Sequence, residues 1–335
     1  MKRPRGTLRL QILAHAYRQS GALNAAIRLD VFTVIAQGTR EISQIAQEIG
    51  VSQQDTQKLV DVLSSLELLE YRDGLYYNAP DVERYLVKEE SSYAGPWLTS
   101  SVEQFKLWAD VAPVLKSERS VPAGGKYEAA WTSVEAARRL NQSTYSIGLR
   151  SGYSVARRWD FTPYSLLLDL GGGSGCYSIA IASTYPHMKA IVMDYPTICA
   201  STGEFIADAG LSDRITTHPG DLLEVDFPRG ADVMLMSSNL PDFTSSGLAN
   251  VYGKAFAAMK GGGVIIILGE ALRDDRSGPL EPALWNLDDA LSGSSGDSHT
   301  ISEVCQLLTQ AGFRDCEVSE FVPGLLTMFV AHKLE

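Results

Sequence analysis

A chain of 335 residues, 45% hydrophobic and 21% charged, can bury a large core and divides most naturally into two domains. Its formal net charge of −11 repels phosphate backbones and argues against a nucleic-acid partner. No apolar run approaches the roughly 20 residues that cross a bilayer, and the basic start MKRPRGTLRLQ lacks the apolar stretch of a signal peptide, so cytoplasmic residence is expected.

Residues 8–36 place Leu10, Leu13, Ala14, Tyr17, Leu23, Ala26 and Ile27 at helical spacing. From Glu41 to Ala79 the pattern is helix, turn at Gly50, helix from a Ser52 cap, and a hairpin turned at Asp73-Gly74, which together make a winged helix-turn-helix. A DNA-binding regulator is therefore a rival reading. Against it, Lys58 is the only basic residue from Gln53 to Leu66, and Asp55 and Asp61 stand beside it. Residues 82–158 are expected to be mostly helical and are rich in aromatic residues, among them Trp108, Tyr127, Trp131 and Tyr145. Most of these should fill interhelical core.

The most telling stretch is LLLDLGGGSG at 166–175, an apolar run ending in Asp169 and three consecutive glycines. The leucines suit a parallel strand covered on both faces. Gly171, Gly172 and Gly173 remove every Cβ from the path of a ligand. In a doubly wound sheet this first strand-to-helix turn is the nucleotide site, so an adenosine-containing cofactor is expected. The strand AIVMD at 190–194 ends in Asp194, placed to accept both ribose hydroxyls, and Asp221 follows Pro219-Gly220, placed to face the adenine amino group while Leu222 or Leu223 packs on the ring. Cys176, Cys199, Cys305 and Cys316 lack paired spacing; they are expected to be reduced thiols, and no metal site is expected.

Taken together, LLLDLGGGSG, VMDYP, GDLLE, VMLMSSNL, MKGGGVIIILGE and LLTQAGF resemble the S-adenosylmethionine-dependent small-molecule O-methyltransferases over essentially the whole chain. The resemblance implies an α/β architecture: a C-terminal Rossmann-like class I methyltransferase domain (161–335), a mostly α N-terminal winged-helix dimerisation domain (1–110), and a helical connector that walls the pocket (111–160). It also implies S-adenosyl-L-methionine as cofactor and a homodimer, with no nucleic-acid or membrane partner. Cofactor contacts are implied for Asp169 and Gly171–Gly173, for Asp194 and Tyr195, and for Asp221, Leu222 and Ser237. Tyr145 and Arg150 lie on the helix that corresponds to the one approaching the methionine end of the cofactor; at least one of them is expected to face the active site.

The catalytic positions depart from the family pattern. Its usual base is a His in a stretch such as H-D-W after the fourth strand; here the segment is SSNLPDF, and Pro241 stands at the base position. The Glu after the fifth strand is retained as Glu270, while the Glu before the last helix aligns with Ser298, next to His299. Three readings follow. His299 is the base for a natural-product hydroxyl; or the chain binds cofactor without methylating; or the acceptor carries no proton to remove. A thioether sulfur attacks with a lone pair and becomes a sulfonium directly, so positioning alone suffices. Trp285, Asp288 and Asp289, with Glu270, would suit such a cationic site. These features resemble the subgroup that S-methylates 4-methylthio-2-hydroxybutyrate on the way to dimethylsulfoniopropionate, which makes a thioether the favoured acceptor and a hydroxyl the runner-up.

Overall fold

A computed structural model describes residues 6–90, 92–100, 102, 105–116, 128–294 and 296–335. The chain forms two compact units, Met1–Phe105 and Lys106–Glu335, so residues 111–160 lie within the second. Tyr127 lies outside the described residues.

The first unit runs through helices α1 (Thr7–Ala14), α2 (Tyr17–Arg28), α3 (Val31–Ala36), α4 (Ile42–Glu48) and α5 (Gln53–Ser65), the hairpin β1 (Leu69–Arg72) and β2 (Leu75–Asn78), and helices α6 (Pro80–Leu86) and α7 (Gly95–Ser100). Ser52 caps α5 by accepting the Asp55 backbone N–H, and Asp73 and Gly74 turn the hairpin with φ of 50° and 82°. Phe32, Ile35, Ile45, Val60, Leu63 and Leu69 fill the core of this winged fold. Of the early apolar positions, Ala26 and Ile27 are buried, whereas Leu10, Leu13 and Tyr17 are exposed on this single chain.

In the second unit, α8 (Phe105–Trp108), α9 (Ala112–Leu115) and α10 (Glu128–Thr132) precede the 25-residue helix α11 (Val134–Arg158). There follow β3 (Leu166–Leu170), α12 (Cys176–Thr184), β4 (Lys189–Asp194), α13 (Pro196–Asp208), β5 (Ile215–Pro219) and β6 (Ala231–Ser237). The chain ends through α14 (Ser245–Ala258), β7 (Met259–Gly269), α15 (Leu280–Ser292), α16 (Ile301–Ala311), β8 (Arg314–Val322) and β9 (Leu326–His332). The seven strands lie in the order β5-β4-β3-β6-β7-β9-β8; β9 is antiparallel to β7 and β8 to β9, and the other pairs are parallel. The chain moves outward from β3 to β5 and then returns to the other side of β3, so the switch point, where such sheets bind ligands, is the crevice between the carboxyl ends of β3 and β6.

Helix α11 meets α12 through two glycines. A Cβ at Gly148 would run into the Cys176 sulfur, and one at Gly152 would come within 2.8 Å of Ala180 Cβ and 2.9 Å of Tyr177 Cα. That close approach holds α11 against the helix that leaves the glycine-rich turn.

One expectation is corrected. Cys305 and Cys316 are joined in a disulfide, with Cα atoms 5.8 Å apart, and only Cys176 and Cys199 are free thiols. A separation of 11 residues has no motif-like spacing, but Gly312, with φ of 111°, ends α16 and folds β8 back beside it. Among the described residues no helix is long and apolar enough to cross a membrane.

Candidate active site

The turn after β3 is shaped by what a side chain there would strike. A Cβ at Gly172 would sit 2.7 Å from Asp169 Cγ and from Val192 Cγ1; one at Gly171, where φ is +70°, would sit 2.5 Å from Asn239 Nδ2. Gly171 N–H donates to the Met193 carbonyl at 2.8 Å, binding the turn to the end of β4. Beneath it lies Asp169, fully buried. Ser178 donates its hydroxyl to Asp169 Oδ2 at 2.7 Å, while Oδ1 is buried with no hydrogen-bond partner among the described residues. Burial pushes this carboxyl up to about 7; the Ser178 bond opposes the shift and the nearby Asp194 adds to it.

Asp194, at the end of β4, accepts the Gly173 N–H at 2.9 Å and the Tyr195 N–H at 2.8 Å. Burial pushes it up to about 6 against the pull of those two backbone bonds. Tyr195 donates its hydroxyl to Asp221 Oδ2 at 2.9 Å, and its ring stacks on Trp131 with centroids 4.8 Å apart. Asp221 Oδ1 accepts the Leu223 N–H at 2.8 Å, and Leu222 is buried, its Cδ1 3.8 Å from the Cβ position of Gly171. Asp169, Gly171–Gly173, Asp194, Tyr195, Asp221 and Leu222 thus form one connected group at the carboxyl ends of β3, β4 and β5. Ser237 ends the neighbouring strand β6, in register with Leu268.

Four residues of this region escape sequence reasoning. Asn141 on α11 is buried, donates to Ser201 Oγ at 3.1 Å, and brings Oδ1 within 3.7 Å of the Cβ position of Gly173. Thr202 donates to the Gly173 carbonyl at 2.5 Å, and Asn239 Nδ2 donates to the Leu170 carbonyl at 2.9 Å. Lys254 on α14 donates to the carbonyls of Leu222 and Leu223, at 3.2 and 2.7 Å. The only signal for them was polar character within apolar helices and strand ends, which surface positions share.

The opposite side of the crevice follows β6 and β7. Pro241 is buried in a 3-10 turn, Leu240–Asp242, and cannot take a proton. His299 is 1% exposed rather than solvent-facing, because its Nε2 reaches the Phe243 carbonyl at 2.8 Å. Glu270, just past β7, is buried, as are Asp288 and Asp289 on α15; Asp288 accepts the Trp108 indole N–H at 2.9 Å. Those two acids therefore point inward from α15 instead of solvating it. Trp285 is half-buried on the same helix. Tyr145 packs its ring on Phe205 of α13, 4.7 Å between centroids, and Arg150 is half-buried further along α11.

Known proteins match both parts of the chain. Residues 115–314 match the O-methyltransferase domain family, and residues 12–88 match the O-methyltransferase dimerisation domain. The chain belongs to the O-methyltransferase family. It is 28% identical over 325 residues to 3-hydroxy-5-methyl-1-naphthoate 3-O-methyltransferase of Streptomyces sahachiroi, covering 93% of this chain and 91% of that one. It is 26% identical to the N,N-dimethyltransferase OxyT of Streptomyces rimosus, covering 90% and 89%. Human N-acetylserotonin methyltransferase, solved in complex with SAM, superposes with a TM-score of 0.86 at 25% identity, covering 100% of this chain and 99% of that one. The fold is accordingly that of a class I methyltransferase with an N-terminal dimerisation domain.

Proposed function

We propose that this methyltransferase moves the methyl group of S-adenosyl-L-methionine to a small molecule whose accepting atom is not deprotonated by a histidine of the protein. The observation that carries this reading is Pro241, buried at the position where the family places its base. The chain fits the cofactor: the glycine turn admits no side chain, and the unpartnered Asp169 Oδ1 points to a cationic or hydrogen-donating group nearby. When bound, S-adenosyl-L-methionine supplies an electrophilic methyl group on a sulfonium. Gly171–Gly173 would hold its methionine end, Asp194 its ribose hydroxyls, and Asp221 with Leu222 its adenine. Tyr195 orients Asp221 through its hydroxyl, and Ser237, the last residue of β6, would contact the cofactor from the neighbouring strand. In this reading residues 1–110 carry dimerisation, 111–160 wall the pocket and 161–335 hold the cofactor.

Without a base, the protein's contribution is alignment of the acceptor for in-line displacement, exclusion of water, and a negative field from Glu270, Asp288 and Asp289. Trp285 offers a face to a cation, and Tyr145 and Arg150 would approach the acceptor from α11, Arg150 against a carboxylate. A thioether such as 4-methylthio-2-hydroxybutyrate meets these terms, because its sulfur attacks with a lone pair and needs no deprotonation, and the positive charge passes from the donor's sulfonium, left as a neutral thioether, to the newly methylated acceptor sulfur. An aromatic hydroxyl is the second reading, favoured by the names of the relatives; to react here it must bind already ionised. The experiment is incubation of the pure protein with labelled S-adenosylmethionine and a panel of thioethers, phenols, alcohols and amines. Label on a thioether or on a phenol of low pKa fits base-free transfer. Label confined to alcohols and phenols of high pKa would sink it.

A further inference from the structure

We infer that His299 is a positioning residue, a strap that fixes the Pro241-bearing wall of the acceptor pocket. The inference rests on the base-free reading only in denying His299 the role of proton acceptor. The Phe243 carbonyl receives two donors, the Asp297 backbone N–H at 3.0 Å and His299 Nε2 at 2.8 Å. In return Asp297 Oδ2 accepts the Ser245 N–H at 3.0 Å, where α14 begins. The two segments also touch along their backbones: a Cβ at Gly296 would overlap the Pro241 carbonyl oxygen. On its other side, the His299 carbonyl accepts the Leu272 N–H at 2.9 Å, two residues beyond Glu270, and Leu272 forms a parallel bridge with Thr300. One residue thus ties the loop after β6 to the loop after β7.

The chemistry of the ring agrees. A carbonyl only accepts, so Nε2 carries the hydrogen and the lone pair of the neutral ring is on Nδ1. Nδ1 is buried and has no hydrogen-bond partner among the described residues, so the ring is held through Nε2 alone. A donor at Nε2 is what the site uses.

Hydrogen–deuterium exchange across residues 239–247 of the full chain, followed by mass spectrometry, tests the strap without knowledge of the acceptor. His299→Ala should speed exchange there roughly five- to tenfold, as loss of one buried hydrogen bond predicts. His299→Gln, whose amide N–H reaches the Nε2 position, should stay within about twofold of the parent chain and bind S-adenosylmethionine with unchanged affinity by calorimetry. Gly296→Ala, which breaks the contact from the other side, should speed exchange as His299→Ala does. Exchange unchanged in His299→Ala, or as fast in His299→Gln as in Gly296→Ala, would overturn the strap, and the second comparison holds even when the alanine variant does not fold. A Gln variant with parental exchange that lost methyl transfer about 100-fold would instead overturn the base-free reading and leave the strap standing.

Discussion

In the proposed cofactor site Asp169 is buried and Asp194 half-buried, and the behaviour of both is testable residue by residue. In the proposed site Asp194 accepts two charge-assisted hydrogen bonds from the ribose, worth roughly 1.5–3 kcal/mol each, so with Asp194→Ala calorimetry should show S-adenosylmethionine bound about 100-fold or more weakly. Unchanged affinity would remove Asp194 from the site. Because Asp194 is pushed up to about 6, its ionised form is lost below that pH, and affinity in the parent chain should fall as pH drops from 8 to 5. Stability of the cofactor-free chain runs the other way. Asp169 titrates near 7 when folded, above an unfolded carboxyl, so the folded chain binds the extra proton. The stability this contributes is present in acid and lost as pH rises through 7. Asp169→Asn carries no such charge and keeps an acceptor for Ser178. Melting followed by fluorescence should therefore show the parent losing ground to the variant between pH 5 and 8, and parallel curves would refute the linkage. On the acceptor side, Pro241→His should not accelerate a thioether reaction; a gain of about 100-fold, the usual worth of a general base, would identify a protonated acceptor. Asp194 and Asp221 were legible in the sequence because one closes a strand and the other follows a strand-ending Pro-Gly turn, at the expected intervals. The Tyr195–Asp221 bond was not, since it joins residues 26 apart across two loops. The burial of His299 was hidden for a different reason: GSSGDSH has the composition of a solvated loop, and only the carbonyl of Phe243 draws it inward.

At the scale of elements, the glycine turn and the parallel strands read directly from apolar runs ending in Gly or Asp, because a strand covered on both faces leaves a continuous hydrophobic signature. The C-terminal hairpin of β8 and β9 left a weaker one. β8 is an edge strand with most of its side chains exposed, so RDCEVSEFV has little apolar content to announce it. The same exposure of context misled the cysteine reading, since Cys305 and Cys316 become neighbours only once that hairpin folds against α16. The contact between α11 and α12 was equally silent, as two glycines in a long helix ordinarily read as weakness. Here they allow contact. Gly152→Val should force the helices apart and cost about 1–3 kcal/mol in denaturant unfolding, as overpacking does, whereas Gly203→Ala, with open space around its Cβ, should leave stability unchanged or raised. Equal effects at the two positions would mean that the interface is looser than the distances indicate.

For the whole molecule, α1 has no buried residue and exposes Leu8, Leu10, Ile12 and Leu13, each by more than half, on a segment overlapping the dimerisation domain. Exposed apolar surface of this kind needs covering. The full chain should scatter light as a homodimer at micromolar concentration, and Leu10→Asp with Leu13→Asp should shift it toward monomer by about tenfold or more in dissociation constant, since each change buries a charge. A parent chain that is monomeric under those conditions would refute the assignment.

The reversal of strand order at β3 and β6 divides the crevice into two banks. Gly171, Asp194 and Asp221 stand on one, at the ends of β3, β4 and β5; Pro241 and Glu270 stand on the other, after β6 and β7. Asn239, bonded to the Leu170 carbonyl, is a pin that both sides share. With that pin kept, residues 240–245 and 270–299 are free to drift without disturbing the grip on the methyl donor. Such a scaffold lets a lineage exchange one acceptor for another, or even one accepting element for another, by rewriting two loops while inheriting its donor chemistry whole.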